Sequence, residues 1–177
     1  MRVIGLDPGT SMGWAYCNPP SEPKAHAKWT TESGVWDLSG SRFEGGGMRY
    51  LRLRAHLGRL FSDAPVKVSE GGRYVPDVVV FYELVRSHKG TDAAHVYGGL
   101  LATMMAYCEE RGVPYLGVPV QTIKKRATGK GNARKPDMIQ AAVDSLGSKR
   151  TIADDEADAL WCLQCGLDEL GLGGIEK

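Results

Sequence analysis

Long apolar runs are missing from this chain. No stretch approaches the ~18–20 consecutive apolar residues that crossing a bilayer requires, and no charged-then-apolar leader precedes Val3. Cysteine is sparse as well. Cys17, Cys108, Cys162 and Cys165 are scattered through 177 residues, which excludes a disulfide framework and fits reduced thiols. The four histidines lie far apart and form no ligand spacing, and Cys162-Leu163-Gln164-Cys165 has no second ligand pair downstream, so core packing explains it better than zinc. An excess of one charge is also lacking. Lys plus Arg number 22 against 21 Asp plus Glu, a net of +1, so local clusters rather than the whole-molecule field must identify a partner. A soluble protein of the cytosol, with no membrane partner, is the expectation.

What is present suffices for a core: 42% of the residues are hydrophobic, enough for one domain over residues 1–177. Val3–Asp7 and Gly13–Cys17 read as strands joined by a tight Pro8-Gly9 turn that favours antiparallel pairing. Ala27–Leu38 reads as a third strand. Past Gly45-Gly46-Gly47, the spacing of Met48, Leu51, Ala55, Leu57 and Leu60 approximates a helix. Glu70–Tyr74 reads as a turn. Val78–Glu83 is a continuous apolar run, the pattern of a strand covered on both faces. Thr91–Arg111 predicts a long helix with Thr91 as N-cap and Gly112 past its end, followed by a strand at Tyr115–Val118. Pro136 opens a helix to about Leu146, and Asp154 or Asp155 opens a last one to about Leu170. The order predicts an α/β architecture: a mixed five-stranded sheet with helices on both faces.

Two of the apolar runs end on an acid, Asp7 and Glu83, at the strand ends where open α/β sheets bind ligands. A third acidic element is "DDEADAL". Asp155 and Asp158, three apart, project from one helix face, and Asp154 with Asp158, four apart, would do so equally well. Each has an ordinary explanation: turn amides for Asp7, a pair with Arg86 for Glu83, the helix dipole for Asp154–Glu156. All three clusters falling where one site would need them argues for a shared volume. Oxygen-only ligands there select Mg²⁺ over zinc, with Mn²⁺ an expected substitute, and two such ions would suit in-line hydrolysis of a phosphodiester.

The stretch "KKRATGKGNARK" carries Lys124, Lys125, Arg126, Lys130, Arg134 and Lys135 with no acid, interrupted by glycines. A solvated loop is the ordinary reading, and a contact to phosphate backbones the functional one. The arginines of Arg49–Arg59 add a second basic region.

Together "VIGLDPGTSMGWA", "FYELV", "VPVQTIKKRATGKGNARKPDMIQAA" and "DDEADALWC" resemble the RuvC family of Holliday junction resolvases, in the family's order and across most of the chain. The resemblance implies a ribonuclease H-like fold. It also implies a homodimer that nicks opposing strands of four-way or other branched DNA with Mg²⁺. Its catalytic and metal-binding acids fall on Asp7, Glu83, Asp155 and Asp158, with Asp154 an alternative for the third. Lys124, Lys125, Lys130 and Lys135 match the basic segment that family members turn toward DNA, and Arg86, His88 and Lys89 after the second acid are further expected contacts to DNA. Family members commonly place a wedging aromatic just after that acid. Here Leu84-Val85-Arg86-Ser87-His88-Lys89 has none, which resembles the looser bacteriophage resolvases. A ribonuclease acting on RNA–DNA hybrids and a non-catalytic branched-DNA binder are the alternatives. A sugar-kinase-like ATPase would need a second subdomain that 177 residues do not supply.

Overall fold

A computed structural model describes residues 1–19, 31–88, 90–146 and 151–174. Strands β1 (Arg2–Asp7), β2 (Ser11–Cys17) and β3 (Thr31–Asp37) form an antiparallel meander. Helix α1 (Met48–Ser62) follows, then a small hairpin of β4 (Val66–Val68) and β5 (Tyr74–Pro76), and strand β6 (Val78–Leu84). Helix α2 (Thr91–Arg111), strand β7 (Tyr115–Pro119) and helices α3 (Val120–Thr128), α4 (Lys135–Leu146) and α5 (Asp154–Glu169) complete the chain. The main sheet has the order β3-β2-β1-β6-β7, with β6 and β7 parallel to β1. It is the expected mixed five-stranded sheet.

Strand alternation explains why β1 and β6 read as unbroken apolar runs. Val3, Val79 and Phe81 enter one core with α3, α4 and α5; Ile4, Leu6, Val78, Val80 and Tyr82 enter a second core with α1 and α2. Both faces of these strands are therefore dry. Helix α1 turns Leu53, Leu57 and Leu60 inward, and α2 does the same with Tyr97, Leu100, Met104 and Tyr107. Arg2 fastens the edge of the second core: its guanidinium donates to Leu60 O at 2.7 Å and Asp63 O at 3.1 Å, closing the end of α1.

Several expectations shift. Gly90 rather than Thr91 is the N-cap of α2, while Gly112 ends it at φ 64°, in the left-handed region that glycine tolerates. The third strand is Thr31–Asp37, and Ala27–Thr30 lie outside the described residues. The turn at Glu70–Tyr74 joins β4 and β5, short strands that give no sequence signal because every residue of β4 is exposed. The first part of the basic stretch lies in a helix, Val120–Thr128, and residues 129–134 form the loop after it; Ile123 anchors the helix in the core and Gly129 caps it at φ 76°.

Helix α5 lies directly on the sheet. A Cβ at Gly5 would come within 2.4 Å of Ala159 O and Leu163 N, and one at Gly13 within 1.8 Å of Asp155 O. These neighbours are backbone and cannot step aside. Gly5→Ala is expected to cost ~3 kcal/mol or to prevent folding, an overpacking penalty readable as the urea midpoint of the purified variant.

Candidate active site

Register decides where the acids go. Leu6 pairs with Tyr82 in the parallel β1–β6 ladder, so one step further Asp7 stands opposite Glu83. Both have the parity of Val3 and Phe81 and hence face α5. On the other side Asp7 pairs with Gly13, over which the Asp155 backbone rests. The first turn of α5 is thereby brought onto the strand ends that carry the other two acids.

The electrostatics record this proximity. Burial first, then the charge and side-chain hydrogen bond of Glu83, then Asp158 and Asp155, hold the Asp7 carboxyl well above the usual carboxylate range. Asp158 is pushed up to about 7 by burial, then by Glu83 and Asp154, while Lys124 and Lys135 pull it back. Glu83, Asp158 and Asp155 thus all act on Asp7, and Glu83 acts on Asp158 as well. Glu83 is 9% exposed.

Mutual repulsion is relieved by separate partners. The Ser11 hydroxyl donates to Asp155 Oδ2 at 2.6 Å, and Lys135 forms an ion pair with Asp154. Among the described residues no three His, Cys, Asp or Glu side chains already converge as a ligand cage. Asp155 is held toward the β1–β2 turn and Asp154 toward α4. Ser11, and Glu156, which is 3% exposed and accepts from Ser33 Oγ at 2.7 Å, escaped the sequence reading. Ser11 had a signal, as the hydroxyl closing the Asp-Pro-Gly-Thr turn; Glu156 was masked by its acidic neighbours. The Tyr97 hydroxyl was missed too. It donates to Glu83 O and accepts from Val85 N, both at 3.0 Å, pinning the end of β6.

The basic residues divide. Lys124 and Lys135 act on the acids. Lys125, Lys130 and Arg134 are exposed, Arg134 at 3.7 Å from Asp137. Arg126 is drawn away, bonded to Asp168 Oδ2 at 2.6 Å near the far end of α5. In the second basic region Arg52 is bound to Glu44 and Arg54 to Glu110, so neither is a ready phosphate contact. Arg86 lines a cleft of about 380 Å³ with Leu84, Pro119, Val120 and Gln121. His88 lines another of about 390 Å³ with Pro8, Gly9, Thr10 and Tyr97, and its buried Nε2 has no hydrogen-bond partner. Lys89 lies outside the described residues. Cys17, Cys108, Cys162 and Cys165 are free thiols; burial pushes Cys17 and Cys108 up to about 12 and Cys165 to about 11, in keeping with packing rather than chemistry.

Strand order and crossovers of this kind define a ribonuclease H-like α/β fold, and comparison with solved structures bears this out. The chain superposes on Thermus thermophilus RuvC with a TM-score of 0.71 at 23% identity, covering 98% of this chain and 99% of that one. A second match, T. thermophilus RuvC in complex with a Holliday junction substrate, has a TM-score of 0.68 at 21% identity, with 98% of each chain covered. No family model matches the sequence. The protein therefore has the RuvC fold over its full described length.

Asp158 also sets a pH dependence. Its folded-state value of about 7 lies above the ordinary 3.8, so the native state holds a proton that the unfolded chain has lost. Stability is fully present below the ordinary value, declines as pH rises through this window, and carries the whole penalty above it. In EDTA, Asp158→Asn is expected to be more stable than wild type by ~2–4 kcal/mol at pH 8 and equal to it near pH 4, measured by urea unfolding.

Proposed function

We propose that this protein is a structure-selective DNA endonuclease that resolves four-way junctions and related branched DNA by hydrolysing phosphodiesters. The observation that carries the reading is the meeting of Asp7, Glu83, Asp155 and Asp158 at one end of the sheet, each perturbing Asp7 or Asp158. Burial and like charge that push Asp158 up to about 7 and hold Asp7 well above its ordinary range oppose any anionic substrate unless a cation intervenes. The donor set consists of oxygen alone, so it fits Mg²⁺ or Mn²⁺, and Asp7, Glu83, Asp155 and Asp158 would hold two such ions. Held there, divalent metal would supply positive charge for acidifying a water and for steadying a leaving oxygen.

The chain's own groups supply the rest. The Ser11 hydroxyl fixes the rotamer of Asp155. Lys124 offers charge to the scissile phosphate, and Lys125, Lys130 and Arg134 to its neighbours along the strand, while Lys135 is held by Asp154. Arg86 and His88 border clefts on either side of the loop that follows Glu83, where flanking nucleotides would lie. A twofold homodimer would set two such sites against the two opposing strands of a junction, and the outward Gly98, Ala102 and Ala106 of α2 allow a second helix to approach closely. The Holliday junction bound by T. thermophilus RuvC in the matched complex supports this choice of substrate over an RNA–DNA hybrid.

Labelled junctions, flaps, hybrids and linear duplex, each incubated with Mg²⁺ or EDTA, test the reading. Paired nicks in junctions with Mg²⁺ alone are expected, whereas cleavage of the hybrid alone would refute it. Asp7→Asn, Glu83→Gln and Asp155→Asn are each expected to lower junction cleavage by ~10³-fold or more with junction binding retained. Asp154→Asn should keep cleavage within about tenfold of wild type, since its carboxylate serves Lys135.

A further inference from the structure

At its acid end, strand β6 reaches the limit of its neighbours. The ladder with β1 stops at the Leu6–Tyr82 pair, and the last partner from β7 is Pro119, opposite Leu84. Past Asp7 the first strand turns away through Pro8. Neither proline has an N–H, so neither neighbour extends the ladder there with a donor. Main chain left in that condition frays unless something else takes up its polar groups.

One side chain does so. The Tyr97 hydroxyl of α2 donates to Glu83 O and accepts from Val85 N, both at 3.0 Å. Main-chain groups two residues apart face the same side only where the chain is extended, so this pair of bonds keeps residues 83–85 straight. The ring serves the other end of the same connection, for His88 rests on it with centroids 4.7 Å apart. Tyr97 also lines the cleft bounded by Pro8, Gly9 and Thr10, which sets it beside the turn that follows Asp7.

The anchor itself is firm. Tyr97 is 8% exposed and shares its helix face with Leu100, Met104 and Tyr107, which enter the second core. Packing alone does not call for a phenol at this place. An apolar side chain would fill the volume with no polar atom to satisfy, whereas a buried hydroxyl costs stability unless it is bonded. Both bonds of this one go to the main chain at and just beyond the second acid. The Glu83 side chain is itself 9% exposed, so where its carboxylate meets Asp7 follows from where the strand end is held. Magnesium demands near-ideal octahedral geometry, and a carboxylate on a frayed strand would serve it poorly.

We propose that Tyr97 is a positioning residue: its hydroxyl holds the end of β6 so that Glu83 and Asp7 are spaced for a divalent cation, which raises the affinity of the acid site for that ion. This rests on the divalent-metal reading above. The test titrates Mn²⁺ into the full chain without DNA and follows the free ion by electron paramagnetic resonance. Tyr97→Phe keeps the ring and removes only the hydroxyl, while Met104→Ala loosens the same helix two turns further on. Tyr97→Phe is expected to bind Mn²⁺ about tenfold more weakly than wild type, the scale of loss when a group that orients a metal ligand is removed. It should also need about tenfold more Mg²⁺ for half-maximal junction cleavage. Its junction affinity in EDTA should stay within about twofold, because the phosphate contacts are untouched. Met104→Ala should bind Mn²⁺ within about twofold of wild type, as distant sites act independently.

Unchanged Mn²⁺ affinity in Tyr97→Phe, while wild type binds the ion, overturns the proposal and leaves the nuclease reading standing. An equal loss in Met104→Ala also overturns it, since general loosening of α2 would then suffice. Wild type that binds no Mn²⁺ removes the metal-site reading itself, and the proposal with it.

Discussion

The direct contact between the backbone of α5 and the sheet at Gly5 and Gly13 is the constraint on which the rest depends. Most helices ride on a sheet about 10 Å away, spaced by side chains, and small changes in those side chains slide them. Here two strand positions have no side chain, and the carbonyls of Ala159 and Asp155 occupy the vacated space. The depth and azimuth of the helix are fixed by main chain rather than by packing that can relax. That matters because Asp155 and Asp158 must reach the ends of strands β1 and β6 with little tolerance. Gly166 repeats the device further along, where a Cβ would meet the ring of Phe81.

A helix so placed forces like charges together, and the protein accepts the energetic conflict instead of avoiding it. Asp7 and Asp158 retain protons at pH values where exposed carboxylates have lost them. The remaining acids are steadied one at a time, Asp155 by a hydroxyl, Asp154 by Lys135 and the neighbouring Glu156 by Ser33. Local destabilisation of this kind is sustained by the two apolar cores on either face of the sheet.

How much of this could be read from the sequence depended on whether burial or charge carried the signal. Val3–Asp7 and Val78–Glu83 were plain because both faces of those strands are covered, so every position but the last is apolar. Asp7 and Glu83 were plain for the same reason, as the only acids in otherwise dry runs. Helix α3 was hidden by its own charge. Only Ile123 of its nine residues is buried, and a run of lysines has the same composition in a helix as in a loop. The pair β4–β5 was hidden because it contributes nothing to either core. Asp154 and Asp155 could not be separated, since adjacent helical residues differ by about 100° of rotation and only the contact at Gly13 sets the zero of that angle.

The four acids at the strand ends also enter the chain at widely separated times. Asp7 belongs to the first strand, Glu83 to the fourth strand of the main sheet, and Asp155 and Asp158 to the last helix. That helix supplies seven of the eighteen buried residues of one core as well, from Ala157 to Leu167. On a ribosome the sheet would be synthesised long before the element that arms it. A nascent or prematurely terminated chain lacking α5 therefore lacks both the cover of one sheet face and two of the four acids.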